Sequence, residues 1–260
     1  MDPLHPTGID AYKPKEIAEL LEAAGAAKAR LPLVSMLTLA MLAGAFIALG
    51  AAAYTMVMTG ADAGFGPHRF LGGLVFSLGL VLVIVGGAEL FTGNALMIMA
   101  AVDGKVGGGE LARAWTVVYV GNLLGALVLA GLFAGTGLLD GAMGATARAI
   151  AEGKAALDPL SAFFRGVLCN VLVCLAVWLS IAARSATGKI LAVLLPVSTF
   201  VLLGLEHSIA NMFFFPQGLA AGADIGLTPI LTNLAVVTLG NILGGAGGVA
   251  LSYRLAYRPV

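Results

Sequence analysis

The sequence predicts an all-α integral membrane protein with six transmembrane helices, arranged as two inverted three-helix repeats in which helices 2 and 5 are broken. An apolar composition, six apolar stretches and a motif that occurs twice together predict this fold. Hydrophobic residues make up 60% of the chain and charged residues only 11%, whereas a soluble domain carries about a quarter of its residues charged. Most of the outer surface is therefore expected to contact the lipid bilayer. The formal net charge of +0 gives no indication of a nucleic-acid partner.

The segment 1–30 is predicted to be cytoplasmic and to precede a single transmembrane domain at 31–260. It is polar, so no cleavable signal peptide is expected. Pro14 stands where a helix can begin. Four apolar residues follow with the spacing of one face of an amphipathic helix: Ile17, Leu20, Leu21 and Ala24. The sequence leaves three positions open for this helix, namely the membrane surface, a neighbouring subunit, or a solvated cap over the span ends.

Four stretches without Asp, Glu, Lys or Arg can each hold a helix of the ~20 residues that cross ~30 Å of hydrocarbon. They are 31–61, 114–139, 166–183 and 225–253. Two further apolar stretches, 70–102 and 190–223, are too long for one simple span, and each has a glutamate near its middle. These two are the predicted broken helices. The segment Leu139–Asp158 is expected to form another short helix between the third and fourth spans.

The distribution of Lys and Arg predicts the orientation, because cytoplasmic segments are enriched in both. One side of the membrane receives Lys13, Lys15, Lys28, Arg30, Lys105, Arg113, Arg184, Lys189, Arg254 and Arg258. The other side receives only Arg69, Arg148, Lys154 and Arg165. The sequence therefore predicts a multi-pass protein of the cytoplasmic (inner) membrane with both termini in the cytoplasm.

A short motif, G-x-E-x-x-x-x-N, interrupts both long apolar stretches, at Gly87–Asn94 and at Gly204–Asn211. A second motif, Gly-Asn-x-x-Gly, follows each copy, at Gly121 and at Gly240. The two repeats are therefore predicted to cover about 31–135 and about 159–256. Three spans per repeat place the second copy upside down relative to the first. Paired broken helices in inverted halves are typical of a transport site at mid-membrane.

The breaks suggest a site for a small anion, because each restarting helix is expected to present free N–H groups and a partial positive charge. Glu89 and Glu206, with Asn94 and Asn211 at the ends of the two motifs, are expected to stabilise the breaks structurally rather than bind the solute. A lone histidine in an apolar setting is commonly structural. His207, however, lies within a break, next to an acid, and an ionisable residue at that depth is a functional candidate.

Cys169 and Cys174 lie in an apolar stretch without the spacing of a CxxC motif or a zinc site. They are interpreted as small hydrophobic residues, and no metal ion or cofactor is predicted.

GxSxG, HExxH and Walker A motifs are absent from the sequence. Glu206, His207 and Ser208 are consecutive residues, and the side chains of consecutive residues rarely point at a common centre. We therefore do not predict an enzyme. An ammonium channel would show a pair of pore histidines and a water channel twin Asn-Pro-Ala motifs, and the sequence has neither.

Three segments and the two Gly-Asn motifs resemble the formate/nitrite transporter family over nearly the whole chain; the segments are AELFTGN (88–94), LCNVLVCLAVW (168–178) and LEHSIANMFFFPQG (205–218). The MFFFPQG continuation is most similar to the formate channel branch. The resemblance implies an aquaporin-like protomer, a homopentamer with one pore per subunit, and small monovalent anions as substrates. Formate is the first choice among them, with nitrite and hydrosulfide as alternatives.

The same resemblance implies the residues of the substrate pathway. His207 is the central histidine and faces Thr92 of the first break. Two apolar slits flank it, lined by Phe76, Leu80, Leu90 and Phe200. Asn170 and Asn241 match polar positions beside the pathway, and Lys154 matches a basic residue of the outer vestibule.

A mechanism follows from the position of His207. Burial disfavours the charged imidazolium, whereas an arriving anion favours it. An anion must also lose its water in an apolar slit, which is costly. If the anion takes a proton from His207, it passes as a neutral acid. The sequence therefore predicts pH-dependent transport of formate coupled to protons. It leaves open whether the chain is a passive channel or a proton symporter, and whether the N-terminal helix gates the pore.

Overall fold

The structure is a computed structural model that describes residues 10–62 and 64–257, so Arg258 of the predicted cytoplasmic charges lies outside the described residues. The described chain is helical, without β-strands. Its helices, in chain order, are α1 (Pro14–Ala29), α2 (Leu33–Met58), α3 (Gly66–Gly86), α4 (Phe91–Val102), α5 (Gly108–Ala134), α6 (Ala142–Ala155), α7 (Pro159–Ala182), α8 (Ala186–Leu202), α9 (Ser208–Ala220) and α10 (Leu227–Tyr257). A 3₁₀ turn, Leu138–Asp140, precedes α6. The predicted short helix between the third and fourth spans is therefore present as α6.

Five helices are long and apolar enough to cross a membrane in the described part of the chain: α2, α3, α5, α7 and α10. The stretch 70–102 contains the end of one helix and the start of another, because residues 87–90 between α3 and α4 are not helical. The stretch 190–223 likewise holds α8 and α9, separated by residues 203–207. Gly87 (φ 84°) and Gly204 (φ 66°) adopt the left-handed conformation that glycine allows at these two points.

Helix α1 begins at Pro14, as predicted, and packs on its own chain against α4, α7 and the end of α10. Its buried face differs from the predicted one, since Ile17 and Leu21 are buried but Leu20 is 41% exposed. The buried positions Ile17, Leu21 and Gly25 recur every four residues, so Leu20 lies outside the buried stripe. Glu22 lies on the buried face, where Lys105 Nζ is 2.7 Å from its carboxylate. Within the described residues, this helix therefore packs onto its own protomer.

Two of the close helix crossings in the described chain involve the Gly-Asn motifs, and both depend on glycine. An added Cβ at Gly44 or Gly125 would collide with the main chain of the facing helix, where α2 crosses α5. The same holds for Gly240 and Gly244, where α10 crosses α7. Small residues allow membrane helices to approach closely and gain van der Waals contact. The Gly-Asn motifs therefore lie where the two helix pairs come nearest.

The last helix departs from α geometry, because residues Leu243–Leu251 form π-helical turns. An added Cβ at Gly245, within this segment, would collide with Asn170, Cys174 and Ala95. Cys169 and Cys174 are both buried and unlinked. The wide glycine-rich turns thus bring α10 close to α4 and α7.

Candidate functional site

A buried asparagine from α5 fastens the chain where α4 begins. The Asn122 side-chain amide donates to the carbonyl of Ala40 at 2.7 Å and to the carbonyl of Glu89 at 2.9 Å. Its Oδ1 accepts from the backbone N–H of Phe91 at 2.9 Å. A single side chain therefore links α2, the interruption and the restarting helix.

Asn241 makes the corresponding bonds where α9 begins. Its amide donates to the carbonyls of Gly166 at 2.8 Å and Glu206 at 3.0 Å, and its Oδ1 accepts from Ser208 N–H at 2.9 Å. The same bond pattern thus occurs twice. The expectation that the restarting helices present free N–H groups is wrong at Phe91 and Ser208, because buried amides require partners and these two asparagines supply them.

Each motif glutamate is held by its own asparagine and by a lysine. Lys28 Nζ lies 3.0 Å from Glu89 Oε2, which also accepts from Asn94 Nδ2 at 2.8 Å. Lys28 donates to Asn94 Oδ1 as well, at 3.0 Å. One carboxylate oxygen and one amide oxygen of the first motif therefore face the ammonium group of a lysine from α1.

The second motif repeats this triad. Lys154 Nζ, from α6, lies 2.8 Å from Glu206 Oε1, and Asn211 Nδ2 donates to Glu206 Oε2 at 2.7 Å. Asn233 adds a further link, because it accepts from Asn211 at 2.8 Å and donates to the carbonyl of Lys154 at 3.0 Å. Each carboxylate is nearly buried, at 7% exposure for Glu89 and 3% for Glu206. Such groups are tolerated at this depth because they are paired.

His207 caps the N-terminus of α9 with its own ring. The backbone N–H of Ala210 donates to Nδ1 at 3.1 Å, so this nitrogen carries no proton and the neutral ring is protonated at Nε2. The Nε2–H group donates to Thr92 Oγ1 at 2.9 Å. The ring is 3% exposed and lies parallel to Phe200, with ring centroids 6.0 Å apart. Both ring nitrogens are therefore occupied in this arrangement.

Thr92 is fixed from behind. Asn170 Nδ2 donates to the Thr92 carbonyl at 3.1 Å and to the Asn241 carbonyl at 2.6 Å, and the Cys174 thiol lies 3.5 Å from the Thr92 carbonyl. Asn170 thus connects the first interruption to α10, and it leaves the Thr92 hydroxyl pointing at His207.

Two cavities open on either side of His207 and Thr92. The Lys28 cavity, of about 430 Å³, is lined by Lys28, Glu89, Leu80, Leu90 and Lys189 among others. The Lys154 cavity, of about 370 Å³, is lined by Lys154, Glu206, Phe76, Phe200 and His207 among others.

A small void of about 10 Å³ lies between the two cavities, room for about one water molecule. It shares Leu80 and Leu90 with the Lys28 cavity, and Phe76, Phe200 and His207 with the Lys154 cavity. The three spaces therefore form one axis through the protomer, closed on both sides of the void by apolar side chains.

The predicted site residues fall into three groups in the structure. Lining this axis are Phe76, Leu80, Leu90, Phe200, His207 and Lys154. Behind its wall, and fully buried, are Thr92, Asn170 and Asn241, of which Thr92 reaches the axis through its bond to His207. At the interruptions are Glu89, Glu206, Asn94 and Asn211. Asn170 and Asn241 thus bind main chain and line none of the three spaces.

The sequence prediction missed Lys28, Tyr54, Arg69 and Arg165, all of which line one of the two large cavities. The repeat itself could have indicated Lys28. It lies 61 residues before Glu89, a separation comparable with the 52 residues between Lys154 and Glu206. The lysine-bearing helices α1 and α6 each precede the first long helix of a repeat. The two arginines carry no repeat signal.

Comparison with known proteins gives consistent results. A model of the formate/nitrite transporter family matches residues 15–255. The chain is 41% identical over 249 residues to the uncharacterized transporter YrhG of Bacillus subtilis, covering 94% of this chain and 93% of that protein. It is 37% identical to the formate channel FocA of Escherichia coli K12 over 271 residues, covering 95% of each.

Solved structures agree with this fold. A structure described as an FNT family ion channel superimposes with a TM-score of 0.87 at 30% identity, covering 93% of this chain and 98% of the other. A pentameric formate channel with formate bound gives a TM-score of 0.80 at 41% identity, with 87% and 98% coverage. These matches extend over the helices that carry the two asparagine-held interruptions and the axis between them. The chain is thus a multi-pass membrane protein and belongs to the formate/nitrite transporter family, whose function is transport.

Proposed function

We propose that this protein carries formate across the cytoplasmic membrane along the axis from the Lys28 cavity to the Lys154 cavity. The observation that carries the proposal is the pair Thr92 and His207, joined by a 2.9 Å hydrogen bond between two apolar constrictions. The relatives support the substrate, because several are named formate channels and one solved structure holds formate. Nitrite is the second candidate, because the family description names it beside formate. Hydrosulfide is a third.

The charges of the two cavities suit an anion that arrives from either side. Each cavity presents a lysine whose carboxylate partner is itself shared with an asparagine amide. An anion that approaches is therefore attracted by the lysine, and the buried glutamate repels it less than a free carboxylate would. Beyond the lysine, the apolar side chains of the constriction oppose a charged solute.

The proposed proton step follows from the cap at His207. The ring holds its single proton on Nε2, so it cannot give that proton away and stay neutral unless Nδ1 first takes up another. We propose that an anion in the constriction stabilises the uptake of a proton by Nδ1 from water of the Lys154 cavity, which His207 lines, and that this uptake breaks the bond from Ala210 N–H. The imidazolium then transfers the Nε2 proton to the anion, which gives formic acid and a neutral ring with its proton on Nδ1. Loss of that proton to water and uptake of another at Nε2 restore the starting ring. Formic acid crosses the apolar side chains without the desolvation cost of the ion and releases the proton on the far side.

We also propose how the helices are arranged in the membrane. Helices α3 with α4, and α8 with α9, each act as one broken span, so six spans result in two inverted repeats, about 31–135 and about 159–256. The segment 1–30 and both termini are cytoplasmic, and 31–260 is one transmembrane domain of an inner-membrane protein. The pentameric relative supports a homopentamer with one pore per subunit.

Purified protein in proteoliposomes tests the substrate. We expect proteoliposomes to take up formate faster than protein-free vesicles do, and faster than they take up hydrosulfide. If a proton accompanies the anion, the vesicle interior should become more acidic. Nitrite is measured side by side. Uptake of nitrite or hydrosulfide without formate would overturn the assignment to formate, whereas uptake of none of the three would overturn anion transport itself.

A further inference from the structure

We propose that Arg69 and Arg165 form a recognition site for a planar, two-oxygen anion in the Lys154 cavity, through which the anion passes before it reaches His207. The site rests on the proposed anion transport and adds a basis for choosing among anions. It selects a carboxylate or nitrite over a single-atom acceptor such as hydrosulfide. Both arginines line the cavity together with Lys154, Tyr54 and His207.

The two guanidinium groups converge on the second interruption. Arg165 Nη1 lies 3.4 Å from the carbonyl oxygen of Gly204, a long contact that leaves most of its N–H groups unused. Arg69 packs over the same residue, because an added Cβ at Gly204 would collide with Arg69 Nη2. The left-handed glycine thus gives the Arg69 side chain room beside Arg165.

Neither guanidinium is neutralised by an acid. In residues 10–62 and 64–257, the ion pairs of the Lys154 cavity involve Glu206 and Lys154 only, and no carboxylate lies within 4.0 Å of Arg69 or Arg165. The second oxygen of Glu206 is already bound to Asn211. The lining therefore combines three cationic side chains with one paired carboxylate, which leaves an excess of positive charge facing the cavity.

The repeat argues against a purely structural role for Arg165. The backbone N–H of Glu206 donates to the Arg165 carbonyl at 3.4 Å, and in the other repeat the N–H of Glu89 donates to the Leu39 carbonyl at 3.2 Å. Leu39 therefore performs the same backbone role with an apolar side chain, and it lines the Lys28 cavity. The backbone of the interruption therefore does not require a guanidinium at this position, and the Arg165 side chain can contact a ligand.

The chemistry of guanidinium defines the ligand class. Its N–H groups form a planar fork that matches two oxygens on one atom, whereas a lysine ammonium acts as a point charge. Formate and nitrite each present two such oxygens, and hydrosulfide presents one sulfur. Two forks beside Lys154 can therefore hold a planar anion in a defined orientation, and hydrosulfide gains only the electrostatic attraction.

The test compares Arg69→Gln, Arg165→Gln, the double variant and Arg165→Lys, with Arg148→Gln as the matched control. Arg148 is on the same side of the membrane but does not line the cavity. Initial uptake is measured over a range of formate, nitrite and hydrosulfide concentrations at low and high salt. Binding is followed separately by NMR line broadening of formate with detergent-solubilised protein, and size-exclusion profiles confirm that each variant is folded.

We expect Arg165→Gln and Arg69→Gln each to raise the half-saturating formate concentration about three- to fivefold, the range for a charged contact at a partly exposed site. Arg165→Lys keeps the charge but loses the fork, so it should resemble Arg165→Gln for formate and nitrite and the wild type for hydrosulfide. Arg148→Gln should match the wild type for all three.

If the variant that lacks both arginines kept the half-saturating formate concentration and the formate line broadening of the wild type, the proposed recognition site would be overturned. Wild-type behaviour of Arg165→Lys toward formate would overturn recognition of a planar anion and leave only charge attraction. If the wild type transports none of the anions, the proposed function fails, while formate line broadening still decides whether the two arginines bind it.

Discussion

His207 has two roles that compete for the same nitrogen. Nδ1 accepts the Ala210 N–H and so caps α9, while the proposed proton step needs Nδ1 to bind a proton. Thr92 is held in place from behind by Asn170, so the Nε2 side of the ring has a fixed partner. The ring is therefore positioned as a hydrogen-bond donor first, and each protonation disturbs the beginning of a helix.

Replacing His207 by Asn should separate the two roles. Asparagine is a good N-cap and can accept the Ala210 N–H, but it cannot take up a proton. We expect His207→Asn to fold with near wild-type thermal stability in detergent and to transport formate at a rate that has lost the pH dependence of the wild type. His207→Phe, which loses cap and proton together, should also lose about 1 kcal/mol of stability. A pH profile of His207→Asn like that of the wild type would remove the proton step.

At the scale of helices, the two asparagines of the Gly-Asn motifs determine where α4 and α9 can restart. Each binds the carbonyl and the N–H of an interruption and, in addition, a carbonyl of a neighbouring helix. The glycine before each asparagine and the one that follows lie at the helix crossings. One motif thus provides both the close approach and the polar clamp.

Asn122→Ala and Asn241→Ala should each destabilise the protein strongly. Each leaves two buried main-chain groups of an interruption without a partner, one carbonyl and one N–H, at about 1–3 kcal/mol per group. The melting temperature in detergent should fall clearly in both variants, whereas Thr146→Ala, which changes an exposed contact on α6, should leave it unchanged. Equal melting temperatures for the asparagine variants and the wild type would show that water replaces the clamp.

The crossing of α2 and α5 offers a sharper comparison within a single helix. Gly125→Ala places a Cβ against the main chain of α2, whereas Gly131→Ala, six residues later in α5, meets nothing within 4 Å. We expect Gly125→Ala to cost about 1–3 kcal/mol through overpacking and to lower the yield of folded protein. Gly131→Ala should be neutral or stabilising by up to about 1 kcal/mol. A matched loss in both variants would overturn the crossing as the cause, because a Cβ at Gly131 meets nothing within 4 Å.

At the scale of the whole molecule, the two cavities share a skeleton and differ in charge. Lys28 and Lys154 hold corresponding glutamates, but only the Lys154 cavity adds Arg69 and Arg165. The two ends of the axis are therefore chemically different even though the chain repeats itself. Anions should bind more readily from the Lys154 side.

Loss of either lysine should reduce formate flux. Lys154→Gln and Lys28→Gln each leave a nearly buried carboxylate without its cation, so the cavity becomes repulsive to an anion by about 1–2 kcal/mol at an effective dielectric constant of about 20. We expect flux at low formate concentration to fall about tenfold in each variant. The double change Lys154→Gln with Glu206→Gln removes both charges and should recover part of the flux. No recovery would indicate that Lys154 contacts the anion directly.

The sequence supported the fold well because membrane helices are governed by length and polarity, and the two motif copies located both interruptions. The break and the neighbouring acid predict that His207 is a functional candidate, and family resemblance predicts the apolar side chains that line the axis in the structure. It could not show that Asn122 and Asn241 would return to the interruptions, 31 and 33 residues away from Phe91 and Ser208, and so it wrongly predicted free N–H groups there. Lys28 was counted among cytoplasmic charges, because nothing local distinguishes a lysine before a span from one that reaches into a cavity.

Lys28 belongs to α1, a helix that lies ahead of the membrane bundle and yet supplies the cation for a glutamate inside it. Trimming the N-terminus beyond Pro14, a common step when a membrane protein is prepared for crystals or fused to a reporter, would therefore change the interior of the protein as well as its edge. Glu89 would lose its counter-ion, and Lys105 would lose Glu22. A tag can extend this chain at its beginning, but it cannot replace α1.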